Sequence, residues 1–182
     1  TTEIRRVSDP KSITQIEIAG RRILVRVDFN VPLDNKLGVA DITRIEQAVP
    51  TIRYALEKNA QVVLATHLGR PRGAVVPNLS LRHILNPLEH LIGRPVKLLN
   101  GCVGPTVLQT LNRLDRGTVA LLENLRFHKE EESNDRLFAT ELASCADIYI
   151  NDAFGVSHRQ HASVAEITKH FKAKGIGFLV QR

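Results

Sequence analysis

Short β-favouring apolar runs recur along this chain, most of them separated by stretches with helical spacing. Residues 23–27 (ILVRV), 62–65 (VVLA), 96–99 (VKLL), 119–122 (VALL) and 148–150 (IYI) are too short for core helices, and most are rich in β-branched side chains. Residues 13–18 alternate apolar and polar positions as a short strand does, and 176–180 form a last apolar run. Between the first two strong strands, Ile42, Ile45, Val49, Ile52 and Leu56 fall at helical spacing, with Asp41 or Thr43 as N-cap and Asn59 as the stop. Pro50 inside that pattern predicts a kink or a break. Ser80 opens a second helix, interrupted near Pro87 and ended by Gly93. Pro105 starts a third that runs through Leu111. Ser133 or Asn134 caps a fourth through Ala143, and a fifth runs from Ser163 to about His170. Short strands alternating with helices predict an α/β fold: one parallel sheet between two helical layers. Right-handed crossovers then place every strand's carboxyl end on one edge, where open α/β sheets bind ligands.

At 182 residues the chain is expected to form one compact domain. Mean hydropathy of −0.10 and the lack of a long apolar run argue against membrane insertion. The opening residues are polar and carry no signal-peptide core. Cys102 and Cys145 stand far apart with no CxxC spacing, so reduced, buried thiols and a cytoplasmic setting are expected. Methionine is absent, the initiator included, so a processed, trimmed or excised chain is expected. The net charge of +6 admits nucleic acid, an anionic membrane surface or a small polyanion as partner. Placement of the charges decides among these.

The strand at 23–27 ends in Asp28 and Asn30, and Arg44 opens the helix after it. The strand at 62–65 ends in His67 and Arg70, that at 119–122 in Arg126, and that at 148–150 in His158 and Arg159. The strand at 96–99 ends without a cation, and the closing run offers only Arg182. The four strands with charged tips are therefore expected side by side, with the other two at the borders. Taken singly, each arginine is an ordinary solvated charge and each histidine an ordinary structural residue. Four tips on one edge instead point to an anion pocket, because guanidinium forks bind phosphate and carboxylate two oxygens at a time. A helix starting at Ser163 adds N–H donors favourable to anions. Asp28 repels an anion unless it pairs with an arginine or accepts from a hydroxyl. His83, His90, His128 and His170 show no such convergence, and the run 129–132 (KEEE) reads as solvated.

There is no GxxxxGK[ST] phosphate loop, and Gly175 and Gly177 fail GxGxxG because Val180 holds the third position. No spacing of acidic residues and histidines suggests a metal cage, so no metal is expected. No Ser/His/Asp or Cys/His set suggests covalent catalysis. Aromatic content of 4% leaves few stacking platforms for nucleic acid.

Five motifs in order, RVDFNVP (26–32), TRI (43–45), HLGRP (67–71), LLENLRFHKEEE (121–132) and NDAFGVSHRQHAS (151–163), resemble the phosphoglycerate kinase family in its amino-terminal, acid-substrate domain. The likeness covers nearly the whole chain. It implies a Rossmann-like, mainly parallel six-stranded sheet of order 3-4-2-1-5-6, spanning residues 1–182 as one acid-substrate domain. It implies a substrate site for 3-phosphoglycerate or 1,3-bisphosphoglycerate lined by Asp28, Phe29 through its backbone, Asn30 and Arg44. His67, Leu68, Gly69 and Arg70 form the next wall, Arg126 and Arg159 hold the far phosphate, and His158 and His161 stand behind them. Arg44 is the expected catalytic residue. Mg-ATP or Mg-ADP belongs to a second domain absent from this chain, which itself holds no cofactor. The resemblance further implies a monomer in the cytoplasm, with no nucleic-acid or membrane partner. This stretch alone is expected to bind 3-phosphoglycerate weakly, to transfer no phosphoryl group, and to expose an apolar patch where a returning segment docks.

Overall fold

The computed structural model describes residues 10–115 and 117–181. Residues 1–9 and Arg182, the cation expected after the closing run, lie outside the described residues. Six strands follow in chain order: β1 (Arg22–Arg26), β2 (Gln61–Ala65), β3 (Val96–Leu98), β4 (Val119–Leu121), β5 (Ile148–Asn151) and β6 (Ala173–Ile176). They form one sheet of order β3-β4-β2-β1-β5-β6, and every pair is parallel. The four strands with charged tips are contiguous, and β3 and β6 take the borders. Helices α1 (Thr43–Glu57), α2 (Leu85–Ile92), α3 (Pro105–Arg113), α4 (Lys129–Glu132), α5 (Arg136–Ala143) and α6 (Phe178–Gln181) complete the chain.

Period-two alternation splits each central strand between two cores. Ile23 and Val25 of β1, Val62 and Leu64 of β2, and Ile148 and Ile150 of β5 pack with Ile45, Ala48 and Ile52 of α1 and Leu88 of α2. Leu24, Val63 and Tyr149 face the other way, onto Val107 and Leu111 of α3 and Phe138 and Leu142 of α5. Both faces of the sheet are thus dry, which is why the strands read as nearly continuous apolar runs.

Several local expectations are corrected. Residues 13–18 are not a strand. Ser12 accepts from Thr14 N at 3.3 Å while Gln15 Oε1 accepts from Ser12 N at 2.9 Å, a capping box that winds Ile13–Gln15 into a 3₁₀ turn. Pro50 does not break α1, which runs unbroken from Thr43–Glu57 with Pro50 exposed. Ile42, not Asp41 or Thr43, holds the N-cap position of α1, and Asp41 instead accepts from Thr43 N at 2.9 Å. Asp135, rather than Ser133 or Asn134, caps α5 by accepting from Phe138 N at 2.8 Å. The region after Ser163 forms only a 3₁₀ turn, Glu166–His170. The closing run divides: β6 ends at Ile176, and α6 begins where Thr51 Oγ1 accepts from Phe178 N (3.0 Å) and Asp152 Oδ1 from Leu179 N (2.9 Å). Residues 129–132 are helix α4, and Glu131 is fully buried, not solvated.

Candidate anion-binding site

The carboxyl ends of β4, β2, β1 and β5 lie in that order along one rim, and the loops leaving them are stitched together. Past β1, the backbone N of Phe29 donates to Thr66 Oγ1 at 2.9 Å, and its side chain is sealed in the core. Asn30 Oδ1 accepts from Gly69 N at 2.8 Å, which joins the loop after β1 to the loop after β2. Arg44, in the first turn of α1, reaches back with Nη1 to Asp28 Oδ1 (3.2 Å) and to the carbonyl of Asn30 (3.0 Å). Asp28 thus has the arginine partner its charge requires, and half of the Arg44 side chain stays open to solvent.

Asn124 ties the loop after β2 to the loop after β4. Its Oδ1 accepts from Leu68 N at 3.2 Å and Arg126 N at 3.1 Å, and its Nδ2 donates to the carbonyls of Leu68 at 2.7 Å and Leu79 at 3.0 Å. Arg126 is nearly buried and donates from Nη1 to the carbonyl of Gly69 at 3.3 Å. Gly69 itself sits at φ +63°, and a Cβ there would come within 2.7 Å of Leu79 Cδ2. Gly69→Ala is expected to lower stability by about 1–2 kcal/mol, the cost of a left-handed non-glycine residue. Thermal or urea unfolding measures it, and an unchanged midpoint would mean the loop relaxes out of that conformation.

Behind this rim lies a buried polar network that sequence reasoning missed. Arg26, the last residue of β1, is fully buried. Its Nε donates to Ser163 Oγ at 2.9 Å, and its Nη2 lies 2.8 Å from His67 Nδ1. Glu131 Oε1 accepts from Ser163 N at 2.7 Å, and Tyr149 OH donates to Ser163 O at 2.7 Å. The one available signal was an arginine inside an otherwise apolar strand, together with an acid in a run that looked solvated.

The electrostatics confirm that these groups share one volume. Burial, then the charges of Arg26, Arg126 and Arg159, push the His67 imidazole down to about 2. Burial also lowers Arg126 and His161, and Glu131 and Glu132 oppose the shift in both. An unfolded chain protonates this histidine near about pH 6.5, whereas the folded one resists. Below that pH the unfolded state binds more protons, so stability falls as pH drops from about 6.5 toward the folded value, by up to about 1.4 kcal/mol per unit from this group. Urea unfolding over that window should show the slope, and His67→Gln should flatten it.

The structure therefore brings Asp28, Asn30, Arg44, His67, Gly69, Arg126, Arg159 and His161 together by contact or by field. Leu68 is buried and offers the rim only backbone. Arg70 and His158 are exposed on the rim loops, and no contact ties them to the others among the described residues. A cavity of about 620 Å³ lies elsewhere, along β6 between Lys11, Glu17, Lys172 and Lys174. Volume and chemistry diverge here, and the converging cations single out the rim.

The fold is an open parallel α/β sheet, a class whose ligand sites lie at the carboxyl ends of the strands, and here those ends carry a cationic rim. The family model for phosphoglycerate kinase matches residues 13–182, and the chain belongs to that family. It is 47% identical over 171 residues to a phosphoglycerate kinase of Rippkaea orientalis, covering 94% of this chain and 42% of that protein. A cytosolic phosphoglycerate kinase of Nicotiana tabacum is 47% identical with the same coverage. The phosphoglycerate kinase structure from Coxiella burnetii superposes with a TM-score of 0.82 at 30% identity, over 94% of this chain and 42% of that one. The chain thus spans less than half the length of these relatives. Among the described residues no helix is long and apolar enough to cross a membrane.

Proposed function

We propose that residues 1–182 form the acid-substrate domain of a phosphoglycerate kinase, binding 3-phosphoglycerate or 1,3-bisphosphoglycerate for reversible phosphoryl transfer with ADP or ATP. The observation that carries this reading is the meeting of Asp28, Arg44, Arg126 and Arg159, with His67, on the rim of a chain that matches the family throughout. Arg126 and Arg159 bind the phosphate of the acid. Backbone and side-chain groups of Asp28 and Asn30 orient its hydroxyl and carboxylate, and Arg70 closes over it. The Mg-nucleotide is held by a second domain outside this chain, and the protein works as a cytoplasmic monomer.

The chemistry asks little of acid or base. The attacking carboxylate is ionised at neutral pH, so its oxygen bonds to phosphorus as the bond to ADP breaks, with no proton to remove. Catalysis is positioning plus cancellation of charge on the group in flight. Arg44, half exposed and held among the described residues only by Asp28 and a carbonyl, is the side chain free to swing toward that group.

Calorimetric titration of 3-phosphoglycerate, beside an unrelated oligonucleotide at two salt concentrations, tests the reading. Saturable binding of the acid and salt-sensitive, weak binding of the oligonucleotide are expected. Tight oligonucleotide binding with no response to the acid would replace this reading with a nucleic-acid one.

A further inference from the structure

His67 is buried on the pocket wall, and its ring is not free to choose where its proton sits. Arg26 Nη2 lies 2.8 Å from His67 Nδ1. An arginine side chain carries five N–H donors, has no acceptor and does not lose its charge in proteins. Nδ1 must therefore accept, which requires a neutral imidazole with its proton on Nε2. Arg26 has no slack to relax this demand, because Nε is committed to Ser163 Oγ at 2.9 Å and Nη1 to the carbonyl of Val27. Ser163 is in turn pinned by Glu131 and Tyr149.

The charges around the ring point the same way. Arg26 faces it from β1, Arg126 from the loop beyond β4, and Arg159 and His161 from the loop beyond β5. Glu131 of α4 supplies the counter-charge to Arg26, one bond away through Ser163. Nε2 has no hydrogen-bond partner among the described residues, and it is not among the sealed polar atoms that lack one, such as Glu131 Oε2 and His161 Nδ1. It is the ring atom left for a ligand.

We propose that Arg26 is a positioning residue that locks His67 as the neutral tautomer protonated on Nε2, so that His67 meets an anionic ligand as a directional donor carrying no charge. This rests on the reading of the rim as an anion pocket. The arginines supply the pocket's charge, which protonation of His67 does not change through the neutral range. The ring instead selects for an acceptor oxygen at one fixed place.

The test is a long-range proton–nitrogen NMR spectrum of histidine-labelled, ligand-free protein from about pH 5 to about pH 8, where ordinary histidines titrate. His67 is expected to show one pattern, bare Nδ1 and protonated Nε2, across the whole range. In Arg26→Met, His67 should titrate or mix tautomers, and Arg26→Lys, which keeps a charged donor, should restore the single pattern. A His67 ring in wild-type protein that is doubly protonated, or protonated on Nδ1, near pH 7 overturns the proposal even if the variants fail to fold. An unchanged pattern in a folded Arg26→Met overturns the role of Arg26. Addition of 3-phosphoglycerate should shift the Nε2 signal. Silence there, with the tautomer intact, counts against the pocket reading and leaves the lock standing.

Discussion

Asn124→Ala is expected to lower the free energy of unfolding by about 3 kcal/mol, more than any single rim substitution. The side chain has no solvent exposure and makes four hydrogen bonds, two as acceptor and two as donor. Alanine strands two backbone N–H groups and two carbonyls at once. An unsatisfied buried polar group costs about 1–3 kcal/mol, and partial relaxation of the loops recovers some of the total. The loss should appear as a lower urea midpoint with an unchanged slope, because the folded surface stays the same. The same substitution should loosen the 67–70 loop against Arg126 and weaken binding of the acid. A midpoint within experimental error of wild type would show that water replaces the amide, and that the two loops do not depend on it.

Arg126→Ala is expected to weaken 3-phosphoglycerate binding about 100-fold, as read by calorimetry. Charge-assisted hydrogen bonds are worth about 1.5–3 kcal/mol, and a two-pronged contact to phosphate sits at the top of that range. Arg126 is 6% exposed, so its desolvation is already complete before a ligand arrives, and its Nη1 is aimed by the Gly69 carbonyl. Arg126→Lys should recover only part of the affinity, since an ammonium cannot present a planar fork. Full recovery with lysine would mean that the site reads charge alone. Unchanged binding in the alanine variant would move the phosphate away from this arginine.

Much of this architecture was legible because its cause is local. The buried strands at 23–27, 62–65 and 148–150 are apolar on both faces, and only a covered parallel sheet accommodates that. Contiguity of the charged tips followed from one consideration, that scattered cations have no common ligand, and the sheet order agrees with it. What escaped were effects decided by distant partners. Nothing near Glu131 in the chain says that it will be buried, because its partner is the backbone of Ser163, 32 residues away. Arg26 looked like one more polar position in a strand, since its significance depends on His67 and Ser163. The 13–18 stretch failed for the opposite reason: a local cap, Ser12 with Gln15, overrode a weak alternation. Asn124 drew no separate attention inside its motif, although its amide connects the loop after β2 to the loop after β4.

A parallel sheet also has a rear. With every carboxyl end on the binding rim, the turns at the strands' amino ends, such as the exposed Arg21 before β1, stand a full strand length away from it. The chain's two cysteines are 0% and 1% exposed, so neither competes for a thiol-reactive probe. Arg21→Cys would therefore give a singly dye-labelled protein with a clean front, ready for surface tethering or for fluorescence titration.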